Sequence, residues 1–224
     1  METGLAEFVK HVFLIIGALF PIVNPLGNVP IFLMLTKESR SDVRTVLARK
    51  IALNGFVLLV ASILIGTNIL AFFGISLPVV QIGGGMVVIA MAWSLLNRKD
   101  EPDKHHGSMQ SASATDLSRR AFYPLTLPLT VGPGSISVAI ALGANRPPGN
   151  EPHWSYLIAA ILGAALVAVT IYLSYRFAQS LARALGDTAM SVIMQLSFFI
   201  LLCIGVQIGW NGISALLHSV LVRR

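Results

Sequence analysis

The chain has 224 residues, of which 55% are hydrophobic and only 12% are charged, against roughly 25% charged residues in an ordinary soluble domain. Its formal net charge is +6. Residues 51–97, 121–145, 152–175 and 188–222 contain no Asp, Glu, Lys or Arg, and about 20 apolar residues are enough to cross a bilayer. These runs exclude a soluble globular domain, a nucleic-acid-binding domain and a disordered chain. They predict an all-α polytopic membrane protein surrounded by lipid.

Cutting the sequence at its charges and at the turn of residues 73–78 predicts six transmembrane segments. They cover residues 12–35, 51–73, 77–96, 121–143, 154–175 and 189–217. A polar stretch, residues 98–120, separates the third segment from the fourth and is predicted to be a flexible linker. The chain is thus divided into a first three-helix half (1–97), the linker and a second three-helix half (121–224). Because three is odd, the second half enters from the opposite side, and homologous halves would form an inverted repeat.

The distribution of Lys and Arg predicts the orientation. With six spans, the loops 36–50, 97–120 and 176–188 share one face and carry 5, 5 and 2 basic residues, whereas the other face carries 4. Since cytoplasmic loops are enriched in Lys and Arg, we expect these loops in the cytoplasm and both termini in the periplasm. If segments 1 and 4 were re-entrant hairpins, the split would be 14 to 2 with the termini inside, so charge leaves this choice open.

Two segments contain clustered helix breakers. The first has three prolines, two asparagines and a glycine within residues 21–30, and the fourth has three prolines and two glycines within residues 124–134. Each proline removes a backbone donor and clashes with the preceding turn, so helices 1 and 4 are predicted to be broken. Paired breaks in two halves are typical of a transporter binding site. Two kinked helices packed around their prolines are the structural alternative.

A half-helix begins after each break, and its free amides present the positive end of a helix dipole to the space beside it. The residues expected to line a substrate site there are Asn24, Gly27, Asn28, Thr130, Gly132, Gly134 and Ser135. Gln81 and Gln195 lie near the starts of the third and sixth segments. Because a glutamine in a membrane is costly unless it is hydrogen-bonded, we expect both to face the bundle interior. There they would either join helices or line the pathway.

The predicted lining is neutral and rich in amide and hydroxyl groups. Every Asp and Glu lies in a terminus, in a loop or near a segment end, so none is placed mid-membrane to carry a proton or hold a cation. The sequence contains no Ser-His-Asp set, no zinc motif and no phosphate loop, and Cys203 is its only cysteine. We therefore expect no enzymatic activity, no metal site and no cofactor, with Na⁺ rather than H⁺ as any coupling ion.

Several motifs taken together resemble the MarC family. They are Asn24-Pro25-Leu26, residues 73–78, Gly132-Pro133-Gly134-Ser135-Ile136, residues 202–207 and residues 211–213. This resemblance spans nearly the whole chain and implies a bacterial inner-membrane protein of six helices in two inverted halves. It also implies kinship with transporters of small neutral amino acids, although the substrate of most members is unknown. The glutamines at positions 81 and 195 depart from the family's pattern, which usually has arginine at both. Any anion recognition by those arginines in the family therefore does not transfer directly to this chain.

The leading hypothesis is a secondary transporter or exporter of a small neutral solute, with glycine or alanine as the first candidates. The solute and membrane lipid would be its partners, nucleic acid would not, and the chain could form a homo-oligomer. Two alternatives stay open. One is a non-transporting inner-membrane partner or sensory protein whose breaks are structural. The other is a channel, for which the sequence offers no charged selectivity ring.

Overall fold

The computed structural model describes residues 2–37, 39–97, 114–144 and 153–221, and every regular element within these ranges is helical. The elements are α1 (Glu2–Val23), α2 (Val29–Leu35), α3 (Ser41–Phe72), α4 (Leu77–Leu96), α5 (Ala114–Arg120), a π-helical segment (Ala121–Thr130), α6 (Pro133–Ala144), α7 (His153–Arg176) and α8 (Ala178–Leu221). The predicted all-α class is confirmed for this part of the chain.

Five helices in the described ranges are long and apolar enough to cross a membrane. They contribute the stretches Leu5–Val23, Ser41–Phe72, Leu77–Leu96, Trp154–Arg176 and Thr188–Leu221. The stretches Leu117–Thr130 and Pro133–Ala144 meet the same criteria as a pair, but they are bent by 71° at the break between them. The protein therefore has six candidate spans if the bent pair is one span, and five if the pair is a re-entrant loop.

Some helices extend beyond the segments predicted from the sequence. α3 begins at Ser41, well before residue 51, because Arg44 and the other basic residues near the start of segment 2 continue the helix beyond its apolar part. α8 likewise begins at Ala178 and is kinked at Gly186, where φ is 74°. That backbone conformation is readily available only to glycine. Charges therefore mark the edge of the apolar part of a helix and not the end of the helix.

The predicted linker is only partly within the described residues. Residues 98–113 lie outside them, whereas residues 114–120 form α5 and run directly into the π-helical segment. α5 packs on the π-helical segment and on α3, and the Lys50 ammonium donates a hydrogen bond to the Ser118 hydroxyl. The flexibility expected for the linker therefore does not extend to its last residues, because tertiary contacts hold them as a helix.

The helices pack in pairs around one core. α3 lies against α7, α4 lies against α8, α1 packs on α7, and α6 packs on both α3 and α4. The core between them is formed by apolar side chains from several elements, including Leu19, Ile51, Leu59, Val131 and Ile171. The turn between α1 and α2 and the bend between the π-helical segment and α6 are thereby brought next to each other; α1 is long enough to cross the membrane by itself, so the first turn follows a complete candidate span.

α4 and α8 are in close contact because glycines lie between them. A Cβ atom at Gly85 would lie 2.6 Å from the backbone nitrogen of Gly209, and one at Gly205 would lie 2.9 Å from that of Ile89. Small residues of this kind allow the backbones of membrane helices to approach. Larger side chains at either position would push the two helices apart.

Candidate functional site

The first break begins at Asn24, where α1 ends and a turn over residues 24–28 leads into α2. Asn24 has a φ of 46°, in the left-handed region that Gly, Asn and Asp tolerate best. Its side-chain Oδ1 accepts a hydrogen bond from the Gly27 N–H (3.2 Å), and its carbonyl oxygen accepts one from the Asn28 N–H (3.1 Å). The Asn24 side chain thus closes the turn by supplying an acceptor to a backbone amide.

The second break is built from hydroxyl groups. Over Ala121–Thr130 the backbone makes wide turns, but it is not a regular helix, because Tyr123 and Leu127, each before a cis proline, have extended backbone conformations. The hydroxyls of Thr126 and Thr130 each donate to the carbonyl oxygen five residues earlier, both at 2.7 Å. After the bend, the Ser135 hydroxyl in the first turn of α6 donates to the Gly132 carbonyl (2.9 Å). The two threonine hydroxyls thus supply donors to carbonyls of the interrupted segment, whereas Ser135 adds a second donor to the Gly132 carbonyl, which also accepts the Ile136 N–H (3.1 Å).

One side chain connects the two breaks. The Asn28 amide nitrogen donates to the Val23 carbonyl at the end of α1 (3.0 Å) and to the Leu129 carbonyl of the π-helical segment (3.2 Å). Only 5% of Asn28 is exposed. A buried carbonyl that loses its donor costs free energy, so this amide favours one relative position of the two breaks.

Tyr175, near the end of α7, adjoins this connection. Its hydroxyl lies 2.8 Å from the Thr130 hydroxyl and near the Asn28 side chain. Its ring stacks on Phe32 of α2, with centroids 4.5 Å apart. We call Asn28, Thr130 and Tyr175 the break cluster. It joins side chains from three separate spans in one buried polar group.

Nothing in the local sequence marks Tyr175 as a site residue. A tyrosine beside Arg176 at a helix end has the sequence signature of the aromatic belt at a membrane surface, yet only 1% of Tyr175 is exposed. Tyr172, three residues earlier on the same helix, is half-buried. No local pattern distinguishes the two, because the burial of Tyr175 depends on α2 packing across its ring.

A small cavity of about 30 Å³ lies beside the break cluster. Four of the nine predicted site residues line it, together with apolar side chains from α1, α4 and α8; the four are Thr130, Gly132, Gly134 and Ser135. None of its lining residues is charged. We call it the break cavity. About 10–15 Å³ of such space is enough to hold one water molecule, so the break cavity in this conformation has room for one or two waters and not for an amino acid.

Glycines bring each break against a different helix. A Cβ at Gly134 would lie 2.1 Å from a methyl carbon of Val88 in α4, and a Cβ at Gly27 would lie 2.5 Å from the Ser197 side chain in α8. Asn24 and Gly27 therefore lie at the α8 side of the first break, outside the lining of the break cavity. Any widening of the cavity requires one half-helix to move away from α4 or α8.

The structure does not bring the two predicted glutamines to the site. Gln195 is exposed on α8, and Gln81 is half-buried. Neither lines the break cavity. The expectation of an interior position is wrong for Gln195, because the α8 face that packs on α4 is formed by glycines such as Gly205. At 100° per residue, Gln195 lies roughly 80° around the helix from that face.

A larger open groove, about 590 Å³, lies between α3 and α7. Its walls are mostly apolar, Arg49 is its one charged lining residue, and none of the nine predicted site residues is in it. Along membrane-spanning helices such a groove is suited to lipid acyl chains. The candidate site is therefore the break cluster with its cavity.

Comparisons with known proteins identify a family of membrane proteins. Residues 9–217 match the model of a family described as MarC family integral membrane protein. The UPF0056 membrane protein YvbG of Bacillus subtilis (strain 168) is 32% identical over 213 residues, which cover 94% of this chain and 96% of the relative. The UPF0056 membrane protein YhcE of Escherichia coli (strain K12) is 31% identical over 203 residues, which cover 91% of this chain and 92% of the relative.

A third relative is the UPF0056 inner membrane protein MarC of Salmonella typhimurium (strain LT2), which is 28% identical over 222 residues, covering 96% of this chain and 99% of the relative. No solved structure matches the chain. The family match covers all of the candidate spans except the first residues of α1 and the last residues of α8. The chain therefore belongs to the MarC family of integral membrane proteins.

Proposed function

We propose that the chain is a secondary transporter of a small neutral solute, with glycine or alanine as the first candidates. The observation that carries the proposal is the break cavity, which is uncharged and lies where two interrupted helices meet. Its lining includes the hydroxyls of Thr130 and Ser135 and the first turn of α6. The first amides of a helix have no intrahelical acceptor, so this turn offers donors to a solute carboxylate while the hydroxyls bind polar hydrogens. The proposal includes no cofactor and no enzymatic activity.

The small volume of the break cavity fits one state of an alternating-access cycle. In this proposal, a half-helix moves to admit the solute, and the hydrogen bond from Asn28 to the Leu129 carbonyl breaks as it does so. The contact between Thr130 and Tyr175 is the second one that must open. In this proposal the hydrogen bonds of the break cluster form when the site is empty, and they break when the solute supplies hydrogen bonds in their place.

We also infer that the two halves are inverted repeats. In such a repeat α1 corresponds to α6, α3 to α7 and α4 to α8. The contact of α1 with α7 then corresponds to the contact of α6 with α3, and the α3–α7 and α4–α8 contacts each join two corresponding helices. α4 and α8 run antiparallel, since Gly205 lies against Ile89 whereas Gly212 lies against Pro78. Antiparallel equivalent helices are expected for a two-fold axis in the membrane plane, and parallel ones for an axis along the membrane normal.

The proposed orientation places the basic ends of the helices in the cytoplasm and both termini in the periplasm. Arg44 of α3 donates to Gln179 of α8 (3.4 Å), and Lys50 of α3 donates to Ser118 of α5. These contacts put three of the basic segments at one end of the bundle. Cytoplasmic ends are enriched in Lys and Arg, and the Salmonella relative is named an inner membrane protein, so we place that end on the cytoplasmic side of a bacterial inner membrane.

A non-transporting membrane protein is the second candidate, and one observation favours it. The polar side chains of the break cluster are already hydrogen-bonded, and the cavity has room for only one or two water molecules. On this view the breaks are structural, and the protein serves as a partner or sensor in the membrane.

Transport in proteoliposomes separates the two candidates. Purified protein is reconstituted, and uptake of labelled glycine and alanine is followed with and without a Na⁺ gradient, Na⁺ being the proposed coupling ion. We expect saturable uptake that is lost in Thr130→Val and in Asn24→Leu. Thr45→Val is the matched control, because the Thr45 hydroxyl donates only to the Ser41 carbonyl near the exposed start of α3.

Thermal unfolding must show that each variant is folded before its flux is compared with that of the wild type. Absence of flux for the folded wild type under every gradient would reject small neutral amino acids as the solute. Full flux in both folded variants would show that transport does not use the breaks.

A further inference from the structure

One face of α8 carries polar side chains at intervals of three or four residues. All of them are exposed, and they are Cys203, Gln207, Asn211, Ser214 and His218. This spacing places them on one side of a helix; we call them the α8 polar stripe. The opposite side of α8 packs on α4 through Gly205, Gly209 and Gly212. The stripe therefore points away from the bundle.

The stripe crosses the middle of the membrane. α4 has 20 residues, which is about the length of one bilayer crossing, so its midpoint lies near the bilayer centre. Gly85, next to that midpoint, lies between Gly205 and Gly209 of α8, and Gln207 is therefore at the same depth. Cys203 and Asn211 are only about 6 Å away along the helix axis. All three positions are within the hydrocarbon.

Lipid cannot satisfy the hydrogen-bonding groups of the stripe. The Gln207 side-chain nitrogen donates to the Asn211 side-chain oxygen (2.9 Å). Within the described part of the chain, this leaves the Gln207 oxygen without a donor and the Asn211 nitrogen without an acceptor. Polar side chains at membrane depth are costly against acyl chains and normally face other helices. The stripe therefore requires a protein partner in the membrane.

We propose that the α8 polar stripe is the interface with a second copy of this chain, packed about a two-fold axis along the membrane normal. Two copies in one orientation place residues of equal depth opposite each other. Within each copy the amide groups of Gln207 and Asn211 lie side by side, because they are hydrogen-bonded to each other, so the two pairs meet at one depth. The free Asn211 nitrogen of each copy can then donate to the free Gln207 oxygen of the other, and the stripe is complementary to itself, as a two-fold interface must be. No other span in the described ranges carries a comparable run of exposed polar side chains, so the stripe itself is the matching surface.

Cys203 provides a direct test because it is the only cysteine in the sequence. Wild-type protein in proteoliposomes is oxidised with copper-phenanthroline and run on a denaturing gel. We expect a reductant-sensitive band at twice the monomer mass. The matched control is Cys203→Ser with Ala90→Cys, because Ala90 is exposed on α4 and follows Ile89, which contacts Gly205. This cysteine lies at a similar depth but outside the stripe, and it should remain monomeric.

Either of two results would overturn the proposal. One is the absence of the Cys203 dimer band while the thiol still reacts with a maleimide. The other is a band of equal intensity from the control position, which would indicate random collision. A crosslink to a different protein in native membranes, with no dimer of this chain, would instead assign the stripe to another partner and would equally contradict a second copy.

A second test removes the hydrogen-bonding groups without disturbing the fold. In Gln207→Leu with Asn211→Leu, leucine suits a lipid-exposed surface, so the thermal midpoint should be unchanged or higher. The dimer fraction, counted by single-molecule photobleaching at a fixed protein-to-lipid ratio, should fall at least tenfold. Val192→Leu with Val206→Leu alters two exposed apolar residues and should leave the dimer fraction unchanged. An unchanged dimer fraction in the first variant would refute the interface, whether or not the protein transports a solute.

Discussion

The two breaks meet the same physical requirement with different side-chain chemistry. Each interrupts a helix within an apolar bundle, so free backbone groups must find partners. The first break uses the amides of Asn24 and Asn28, and the second uses the hydroxyls of Thr126, Thr130 and Ser135. An amide nitrogen has two hydrogens, so Asn28 can serve its own break and also reach the other one. A hydroxyl has a single hydrogen, and those of the second break are all used on nearby carbonyls.

Because of this difference, the two breaks have different structural roles. Asn28 fixes the first break to the second through the Leu129 carbonyl, whereas the second break leaves the small uncharged cavity at the start of α6. Substitutions in the first break should therefore loosen the contact between the halves. Those in the second break should change the cavity with smaller effects on the whole fold.

The largest effect is expected for Asn28→Leu. Leucine leaves the carbonyls of Val23 and Leu129 without this donor in an apolar environment, and one unsatisfied buried group costs about 1–3 kcal/mol. We expect a loss of about 3 kcal/mol in the free energy of unfolding, measured by denaturation in detergent. Asn68→Leu is the control, since Asn68 is exposed on α3 and its replacement should leave the unfolding midpoint unchanged. A wild-type midpoint for Asn28→Leu would show that the bridge between the breaks contributes nothing.

Gly134→Ala should have the next largest effect. Its Cβ would lie 2.1 Å from a Val88 methyl carbon, and overpacking a core usually costs about 1–3 kcal/mol. Val88→Ala removes that methyl, so the double variant should be more stable than the sum of the single changes predicts. Gly83→Ala in α4, where an added Cβ meets nothing within 4 Å, is the control. Additive losses in the double variant would place the strain elsewhere.

Thr130→Val and Tyr175→Phe test the contact between the second break and α7. We expect the first to cost about 1–2 kcal/mol, because the Leu125 carbonyl and the Tyr175 hydroxyl both lose a partner, and the second to cost about 1 kcal/mol. Thr130 keeps its bond to Leu125 when Tyr175 is changed. A double-mutant cycle by thermal unfolding should give a coupling of at least about 0.5 kcal/mol. A coupling of zero would mean that the two hydroxyls do not interact in the membrane.

The smallest effect is expected for Ser135→Ala, which removes a hydroxyl from the break cavity. Its bond to the Gly132 carbonyl closes a local turn, so the loss in stability should be at most about 1 kcal/mol. Solute uptake should nevertheless fall. Ser219→Ala, at the exposed end of α8, removes an equivalent local bond to Leu216 and should change neither quantity. A large loss of stability for Ser135→Ala would give the second break the same bridging role as the first.

Much of the site could be predicted because it follows from local chemistry. Clustered prolines, glycines and asparagines cannot continue a helix, so the positions of Asn24 and Gly132 at chain interruptions were accessible from the sequence. The prediction that Gln195 faces the bundle interior was wrong. A polar side chain in lipid is costly, and this cost implies only that the side chain needs a hydrogen-bonding partner. It does not say whether that partner is in the same chain. Tyr175 was missed for the converse reason, since its local sequence resembles that of a surface tyrosine.

The sequence alone determined that the described part of the chain is helical, that it has several stretches long and apolar enough to cross a membrane and that Asn24 and Gly132 lie where helices end, because hydropathy and backbone geometry are properties of short segments. Only the tertiary structure decided that Asn28 bridges the breaks, that Tyr175 is buried on Thr130 and that the polar side of α8 faces outward. These facts depend on which helix lies beside which and at what rotation. Glycine contacts such as that of Gly85 with Gly205 set that rotation, and they join residues far apart in the chain.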